Sequence, residues 1–314
     1  MDKNRKLSFI IPCYLSEGLV CGVIEEIIKT VEGKNPFEII AVNDASPDNV
    51  LKELKEAAKK DERIKVIDLA KNGGKHCALM AGYSRATGDI IVGVDDDGQC
   101  PVDCVYKLIS PLEEGYDIAL AKYPLKKQSK IKNMGSYLND KMACSFLGKP
   151  KDLKLSNFYA VKRFVLEEVL KYKNPYPYID GLFLRSTDKI INVEMQERER
   201  KAGKSGYTLK KSLKLFMNGF TAFSVKPLRF SSILGFITAL LGFLFAVAVV
   251  VKKAINPQVP SGYSSIMAVL LFVGGVIMML LGVIGEYIGR IYISINNSPQ
   301  YVIREEINTK TKEK

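Results

Sequence analysis

The stretch IIVGVDDDGQCP, Ile90–Pro101, carries a run of apolar β-formers straight into three consecutive carboxylates, Asp95, Asp96 and Asp97, before it breaks at Gly98. At an effective dielectric near 20, two carboxylates about 6 Å apart repel by roughly 3 kcal/mol. A buried strand that ends this way therefore calls for a positive group close by. Alternate side chains of an extended strand share a face, so the pattern lets Asp95 and Asp97 converge while Asp96 faces elsewhere. Two converging carboxylates and the Gln99 amide oxygen make a hard-oxygen site. Such a site suits Mg²⁺ or Mn²⁺, which take few protein ligands and fill their remaining positions with diphosphate oxygens. A general acid/base pair of carboxylates is the rival use.

Working outward, LSFIIPCY, FEIIAVND, IKVIDL, DIIVGVDDD and YDIALAKY read as strands. Between them lie helical stretches at Leu19–Val31, Asn49–Lys60, Cys77–Ala86 and Val102–Glu114. Near-continuous apolar strands separated by helices indicate a mostly parallel sheet with helices on both faces. In such an open, Rossmann-like α/β fold, ligands sit at the carboxyl ends of the strands. The polar residues gather there: Tyr14 after the first strand, Asn43 and Asp44 after the second, and the three aspartates after the fourth. No GxGxxG or GxxxxGK[ST] follows any strand, which removes the usual dinucleotide and P-loop readings. Beyond Tyr123, residues 131–147 read as a helix, and LSNFYAVKR and INVEMQERER as strands. His76, the only histidine, reads as the start of a helix after a glycine pair.

The 314 residues combine 47% hydrophobic with 25% charged residues, so the apolar ones must be segregated. Two windows hold the excess, Ser231–Val251 and Ser264–Gly285, each without a charge. At 1.5 Å per residue, about 20 residues span the roughly 30 Å hydrocarbon core. Two buried helices of a soluble domain are the alternative. The N-terminal apolar run is short, stops at Pro12 and lacks a small-residue cleavage site, so it reads as a first strand and not as a signal peptide. Lys210, Lys211, Lys214, Lys226 and Arg229 precede the first window and Arg290 and Arg304 follow the second, against Lys252 and Lys253 between them. That bias places both flanks in the cytoplasm. In TLKKSLKLFMNGFTAF, Leu209, Leu213, Phe216 and Phe220 share a helical face that the lysines avoid. This is the profile of an interfacial amphipathic helix, or of one packed on the domain. Six cysteines without a CxxC pair read as free thiols. The net charge of +12 comes with no nucleic-acid motif and is densest beside the apolar windows, where anionic lipid is the simpler partner.

IPCY, VNDASPD, NGGKHCALMAGYSRATGD and DDDGQ together resemble the family-2 glycosyltransferases of GT-A fold, whose usual forms are PxYNE, VDDGSxD, NxGKxxAL and DxDxQ. The resemblance continues through RKAGKSGY, an RxxGxSxY element from Arg200, and into GEYIGRIY after the second window. It covers nearly the whole chain and is similar in order to the polyprenyl-phosphate glycosyltransferases. It implies that Pro12, Tyr14 and Asp44 contact base and ribose, that Lys75 lies near the nucleotide, and that Asp96 lines the donor site. It further implies that Asp95, Asp97 and Gln99 hold the metal, and that Arg200 and Ser205 meet phosphate. Arg200 as a surface charge is the alternative.

The chain departs from the family pattern at three places. Ser16 stands where PxYNE has glutamate, with Glu17 one residue late. Asn43 replaces the first aspartate of VDDGS, and Asn157 stands where many relatives carry an aspartate proposed as catalytic base. A phosphate acceptor with a second pKa near 6 is mostly dianionic at neutral pH and needs little deprotonation.

The expected organisation is a GT-A domain over 1–207, an interfacial helix and linker over 208–229, a two-helix transmembrane hairpin over 230–290 and a cytosolic tail over 291–314, with lysine-rich disorder from Asn308. The expected activity is inverting, metal-dependent transfer from a nucleotide sugar, with UDP-glucose the default donor, to polyprenyl phosphate at the cytosolic face of a bacterial plasma membrane. An inactive nucleotide-sugar binder and a transferase using another lipid are the alternatives. A processive polysaccharide synthase is disfavoured, since its QxxRW motif needs a tryptophan and the chain has none. Gly274, Gly275 and Gly282 permit close helix contact and so a homo-oligomer.

Overall fold

The computed structural model describes residues 4–124, 144, 149–196, 198, 226–255, 262–296 and 298–309. The chain divides into two units, Met1–Phe216 with Asn297–Lys314, and Met217–Asn296.

The first unit is built on an eight-stranded sheet in the order β7-β5-β6-β4-β1-β2-β3-β8. Its strands are β1 (Leu7–Cys13), β2 (Phe37–Asn43), β3 (Ile64–Leu69), β4 (Ile90–Gly93), β5 (Ile118–Lys122), β6 (Tyr159–Lys162), β7 (Ile190–Glu194) and β8 (Ile303–Ile307). Strands β3, β2, β1 and β4 run parallel to one another. Every residue of β1 and β2 is buried, which is why their sequences are continuous apolar runs and not alternating ones. The covering helices are α1 (Val20–Val31), α2 (Val50–Lys60), α3 (Lys75–Arg85), α4 (Val105–Glu113), α5 (Arg163–Leu170) and α6 (Ile179–Ser186). In α1 the buried side chains Val20, Val23, Ile24, Ile27 and Val31 recur at helical spacing. The highly charged α2 buries only Val50, Leu54 and Ala58.

Parallel register sets Cys13 beside Asn43 and Asn43 beside Asp68, so the carboxyl ends of three adjacent strands form one rim. Strand β6 is antiparallel to β4, with Gly93 opposite Tyr159. Its beginning, not its end, therefore reaches that rim and delivers Asn157.

Three details differ from the sequence reading. Strand β4 stops at Gly93 and the chain turns at Asp96 and Asp97, because consecutive carboxylates cannot continue into a buried ladder. Helix α3 begins at Lys75, two residues earlier than the apolar pattern marks. Residues assigned to a tail contain β8, which pairs antiparallel with β3 at the sheet edge. The helix expected over 131–147, Cys144 excepted, and the interfacial helix and linker expected over 208–229, up to residue 225, lie outside the described residues; Lys226–Arg229 open the first helix of the second unit. All six cysteines are free.

The second unit contains α7 (Lys226–Ile255) and α8 (Tyr263–Ile295), which pack on one another. Within α8, Phe272–Gly289 is long and apolar enough to cross a membrane, with mean hydropathy 1.9 and no buried residue. The apolar stretch found in α7, Ser231–Phe245, is shorter than a span.

Candidate active site at the carboxyl rim of the sheet

The positive group that the acidic run calls for is Lys75, in the first turn of α3. Its ammonium pairs with Asp95, whose second oxygen accepts the Asn157 side-chain amide at 2.9 Å. Asp96 turns inward and accepts the Tyr14 N–H at 3.0 Å. Burial, with Asp95 and Asp97 as lesser causes, pushes its carboxyl up to about 6. Asp97 accepts the Gln99 N–H at 3.1 Å, and the Gln99 carbonyl accepts the Arg198 N–H at 3.2 Å. Asp95 and Asp96 thus have different partners, and all three carboxylates lie beyond the end of β4, where the chain turns.

A second cradle forms where β2 and β3 end. The buried Asp44 carboxylate accepts the Gly73 and Gly74 N–H groups at 2.7 and 2.8 Å, although burial pushes its pKa up. Its own carbonyl accepts the Asn72 amide at 3.0 Å. Both glycines are required by geometry. A Cβ on Gly73 would stand 2.8 Å from that of Cys77, and Gly74 has φ +84° with ψ 164°, a region essentially reserved for glycine. Asp44 therefore shapes the backbone turn that introduces Lys75.

The loops after β1 and β2 are laced together. Leu15 and Ala45 both hold positive φ, at 56° and 48°, a cost that persists only where surroundings over-determine the backbone. The Ser46 hydroxyl accepts the Leu15 N–H at 2.8 Å and donates to Asp48 at 2.6 Å. Glu17 is exposed; its carboxylate accepts the Asn49 side chain at 2.9 Å, so it ties the first loop to the start of α2. Pro12 is buried within β1 opposite Val42, whereas Tyr14 is exposed.

Asn43 has a local reason. Its amide donates to Asp68 at 2.7 Å and its carbonyl accepts the Ser46 N–H at 3.2 Å. Asp68 is also buried and lies 3.4 Å from Arg304. An aspartate at 43 would set two carboxylates in contact.

Two residues here, Asp180 and Arg198, were not singled out from sequence. Asp180, at the start of α6, lies close enough to Lys75 to feel its charge; burial pushes its carboxyl up to about 6 while Lys75 pulls it down. The neighbouring Ile179 N–H meets His76 Nδ1 at 3.4 Å. Burial, then Lys75, lowers His76 to about 4, so it is a neutral packing residue. Arg198 pairs with Asp103 at 2.7 Å and with Glu26. It borders an open cleft of about 690 Å³ that Lys107, Lys122, Tyr123 and Glu194 also line. The one available signal for Asp180 was an acidic residue opening a helix after the turn-rich NPYPY. Arg200 and Ser205 lie outside the described residues.

Among the described residues no three His, Cys, Asp or Glu side chains are grouped to hold a metal. The donors at the acidic turn are all oxygens, and Asp95 and Asp97 are only partly buried. That set fits an ion which binds through one or two carboxylates and takes its other ligands from substrate phosphate.

A parallel α/β sheet with a polar rim of this kind is that of a GT-A glycosyltransferase, and the chain belongs to glycosyltransferase family 2. The family model described as "Glycosyl transferase family 2" matches residues 8–172, and that described as "GtrB C-terminal hairpin" matches residues 226–291. The uncharacterized glycosyltransferase YkcC of Bacillus subtilis is 32% identical, over 99% of this chain and 97% of the relative. An undecaprenyl-phosphate 4-deoxy-4-formamido-L-arabinose transferase of Proteus mirabilis is 30% identical, over 98% and 96%. Among solved structures, glucosyl-3-phosphoglycerate synthase of Mycobacterium tuberculosis, in complex with Mn²⁺, uridine diphosphate and glucosyl-3-phosphoglycerate, superposes with a TM-score of 0.53. That likeness covers 70% of this chain and 80% of that one at 19% identity, a likeness of fold. The chain is thus a glycosyltransferase whose curated relatives include enzymes named as undecaprenyl-phosphate transferases.

Proposed function

We propose that the chain transfers a sugar from a nucleoside-diphosphate sugar, with UDP-glucose the default donor, to undecaprenyl phosphate at the cytoplasmic face of the bacterial plasma membrane, with inversion at the anomeric carbon. One observation carries the reading: a lysine, an acidic turn and a glycine backbone cradle converge on the carboxyl rim of a GT-A sheet, in a chain that continues into a GtrB-type hairpin. The relatives named as undecaprenyl-phosphate transferases support the acceptor, and the Mn²⁺ and UDP complex of the fold neighbour supports the donor and the ion. The hairpin, with the apolar stretches of α7 and α8 seated in the bilayer, would hold the enzyme against its lipid substrate.

Asp95 and Asp97, with Gln99, would hold Mg²⁺ or Mn²⁺. That ion, when bound, supplies positive charge to the departing nucleoside diphosphate. The chain's own residues do the rest. Asp44 fixes the Gly73–Gly74 turn, and Tyr14, Pro12 and Glu17 with Asp96 shape the neighbouring wall. Lys75 places a fixed positive charge where the diphosphate develops negative charge. Arg200 and Ser205 meet phosphate of donor or acceptor. Asn157 orients Asp95 and has no proton to remove, because the acceptor phosphate arrives largely as a dianion. Attack from the face opposite the leaving group joins the sugar to the lipid through one phosphate.

The test is incubation of the purified full chain with undecaprenyl phosphate and a panel of radiolabelled nucleotide sugars, with and without a chelator. Label should enter a butanol-extractable, mild-acid-labile lipid, stop with EDTA and return with Mg²⁺ or Mn²⁺. Labelling of diacylglycerol instead would reassign the acceptor, and binding of a nucleotide sugar without turnover would leave only a binding protein.

A further inference from the structure

Residues 300–304 lie against two loops that flank Lys75. On one side the Val302 carbonyl accepts the Ala70 N–H at 2.8 Å, and Arg304 donates to the Ala70 carbonyl at 3.1 Å. Both polar backbone groups of Ala70 are thereby held just where β3 gives way to the Asn72–Gly74 turn. The Gln300 carbonyl lies over that turn, 3.6 Å from where a Cβ on Gly73 would be. On the other side, Gln300 Nε2 donates to the Tyr172 and Asn174 carbonyls, both at 2.8 Å. The same loop runs on to Pro175, whose carbonyl accepts the Cys77 thiol at 3.9 Å, and to Ile179 against His76. The strand that follows is anchored independently: Arg85 grips Glu306 at 2.7 Å, Lys55 pairs with Glu305, and the Asn308 amide donates to the Ala58 and Ile64 carbonyls.

We propose that Gln300 and Arg304 are positioning residues for the donor. They brace the Gly73–Gly74 turn and the first turn of α3, so that the segment following the hairpin forms an outer wall of the donor site without touching the donor. The inference rests on assigning this turn to the donor, as proposed above. A glycine turn has no side chain with which to pack itself, and fixing its backbone costs conformational entropy. A brace that meets this cost before the donor arrives improves ground-state binding and leaves the chemical step alone, which appears in KM and not in kcat. Arg304 adds a second route through Asp68 to Asn43 and the Ser46 loop.

The experiment uses the full chain in detergent with Gln300→Ala, Gln300→Glu, Arg304→Gln and Arg304→Lys. Uridine diphosphate is titrated by calorimetry, and donor KM, acceptor KM, kcat and the thermal midpoint are measured alongside. The expected result is a rise of about five- to tenfold in the uridine diphosphate Kd and donor KM for Gln300→Ala and Arg304→Gln, an effect on ground-state binding. Acceptor KM and kcat stay within about twofold, and Arg304→Lys recovers part of the loss. A lower midpoint and a smaller active fraction with donor KM unchanged would mean a merely structural strand and would overturn the proposal. If the parent chain binds no uridine diphosphate and turns over no nucleotide sugar, the donor assignment has failed. The brace is then judged by hydrogen exchange of the 70–77 amides, which must quicken in Gln300→Ala if the proposal holds and stay unchanged if it does not.

Discussion

Replacing Asn43 by Asp puts a second carboxylate against Asp68. Both positions are 2% exposed, and the present contact is a 2.7 Å hydrogen bond from the Asn43 amide. The penalty can be bounded in two ways. Two unit charges 4 Å apart repel by about 4 kcal/mol at an effective dielectric of 20. The pair can escape by binding one proton, but protonating an ordinary Asp three pH units above its pKa also costs about 4 kcal/mol at pH 7. Arg304, 3.4 Å from Asp68, offsets part of this, so a loss of about 2–4 kcal/mol is expected at pH 7. The sign of the pH dependence follows from the proton count. In the variant the folded pair binds a proton that the unfolded chain has released, so its folded pKa lies above the unfolded value. Stability relative to the parent is therefore lost as pH rises from about 4 through that raised pKa. Urea unfolding followed by circular dichroism at pH 5 and pH 7 measures both effects, since the chain has no tryptophan to report. The exchange variant, Asn43→Asp with Asp68→Asn, should recover most of the loss. A variant as stable as the parent at pH 7, or a deficit equal at pH 5 and 7, would refute the account of why asparagine stands at 43.

Glu38, 2% exposed at the opposite end of the sheet, is held at about 2 despite burial by hydrogen bonds from Lys65, Ser8, the Thr87 N–H and Lys6. Glu38→Gln should cost about 3 kcal/mol near pH 6. Because the folded pKa is depressed, the difference from the parent is full above about pH 4.5 and fades as pH falls toward 2, which acid titration of both proteins will show. Lys75→Met should lower sugar transfer about 100-fold by removing fixed charge beside the diphosphate; activity within threefold of the parent would take Lys75 out of the reaction. Gly74→Ala forces a side chain into a glycine-only region and should lower stability by about 1–3 kcal/mol, with weaker nucleotide binding by calorimetry as the second readout.

What could be read from sequence follows from where the physics is local. Strands β1 and β2 announce themselves because burial on both faces demands unbroken apolar runs. The acidic turn and Asp44 stand out as polar groups gathered at strand ends, and Lys75 through the NGGKHCAL resemblance, while the use of Asp44 in holding the Gly73–Gly74 turn is visible only in the fold. Strand β8 did not: IREEI carries three charges in five residues and is a strand only because β3 offers an edge and Arg85 and Lys55 await its glutamates. Asp68 and Arg304 are 236 positions apart, so no local window joins them. Around Asp95–Asp97 the sequence pattern gives the carboxylates but not the end of the strand, because β4 stops at Gly93 and the partners of the turn, Tyr14, Lys75 and Asn157, come from distant segments.

The order of synthesis has a consequence for how this sheet is completed. Strand β3 leaves the ribosome early, yet its outer neighbour is encoded beyond both long apolar helices. At about 5–20 residues per second, the roughly 230 intervening residues take on the order of 10–50 s to make. For that interval IKVIDL presents an unpaired edge, the kind of surface that templates aggregation. Nascent chains arrested within the hairpin should therefore depend on chaperones that finished chains no longer require.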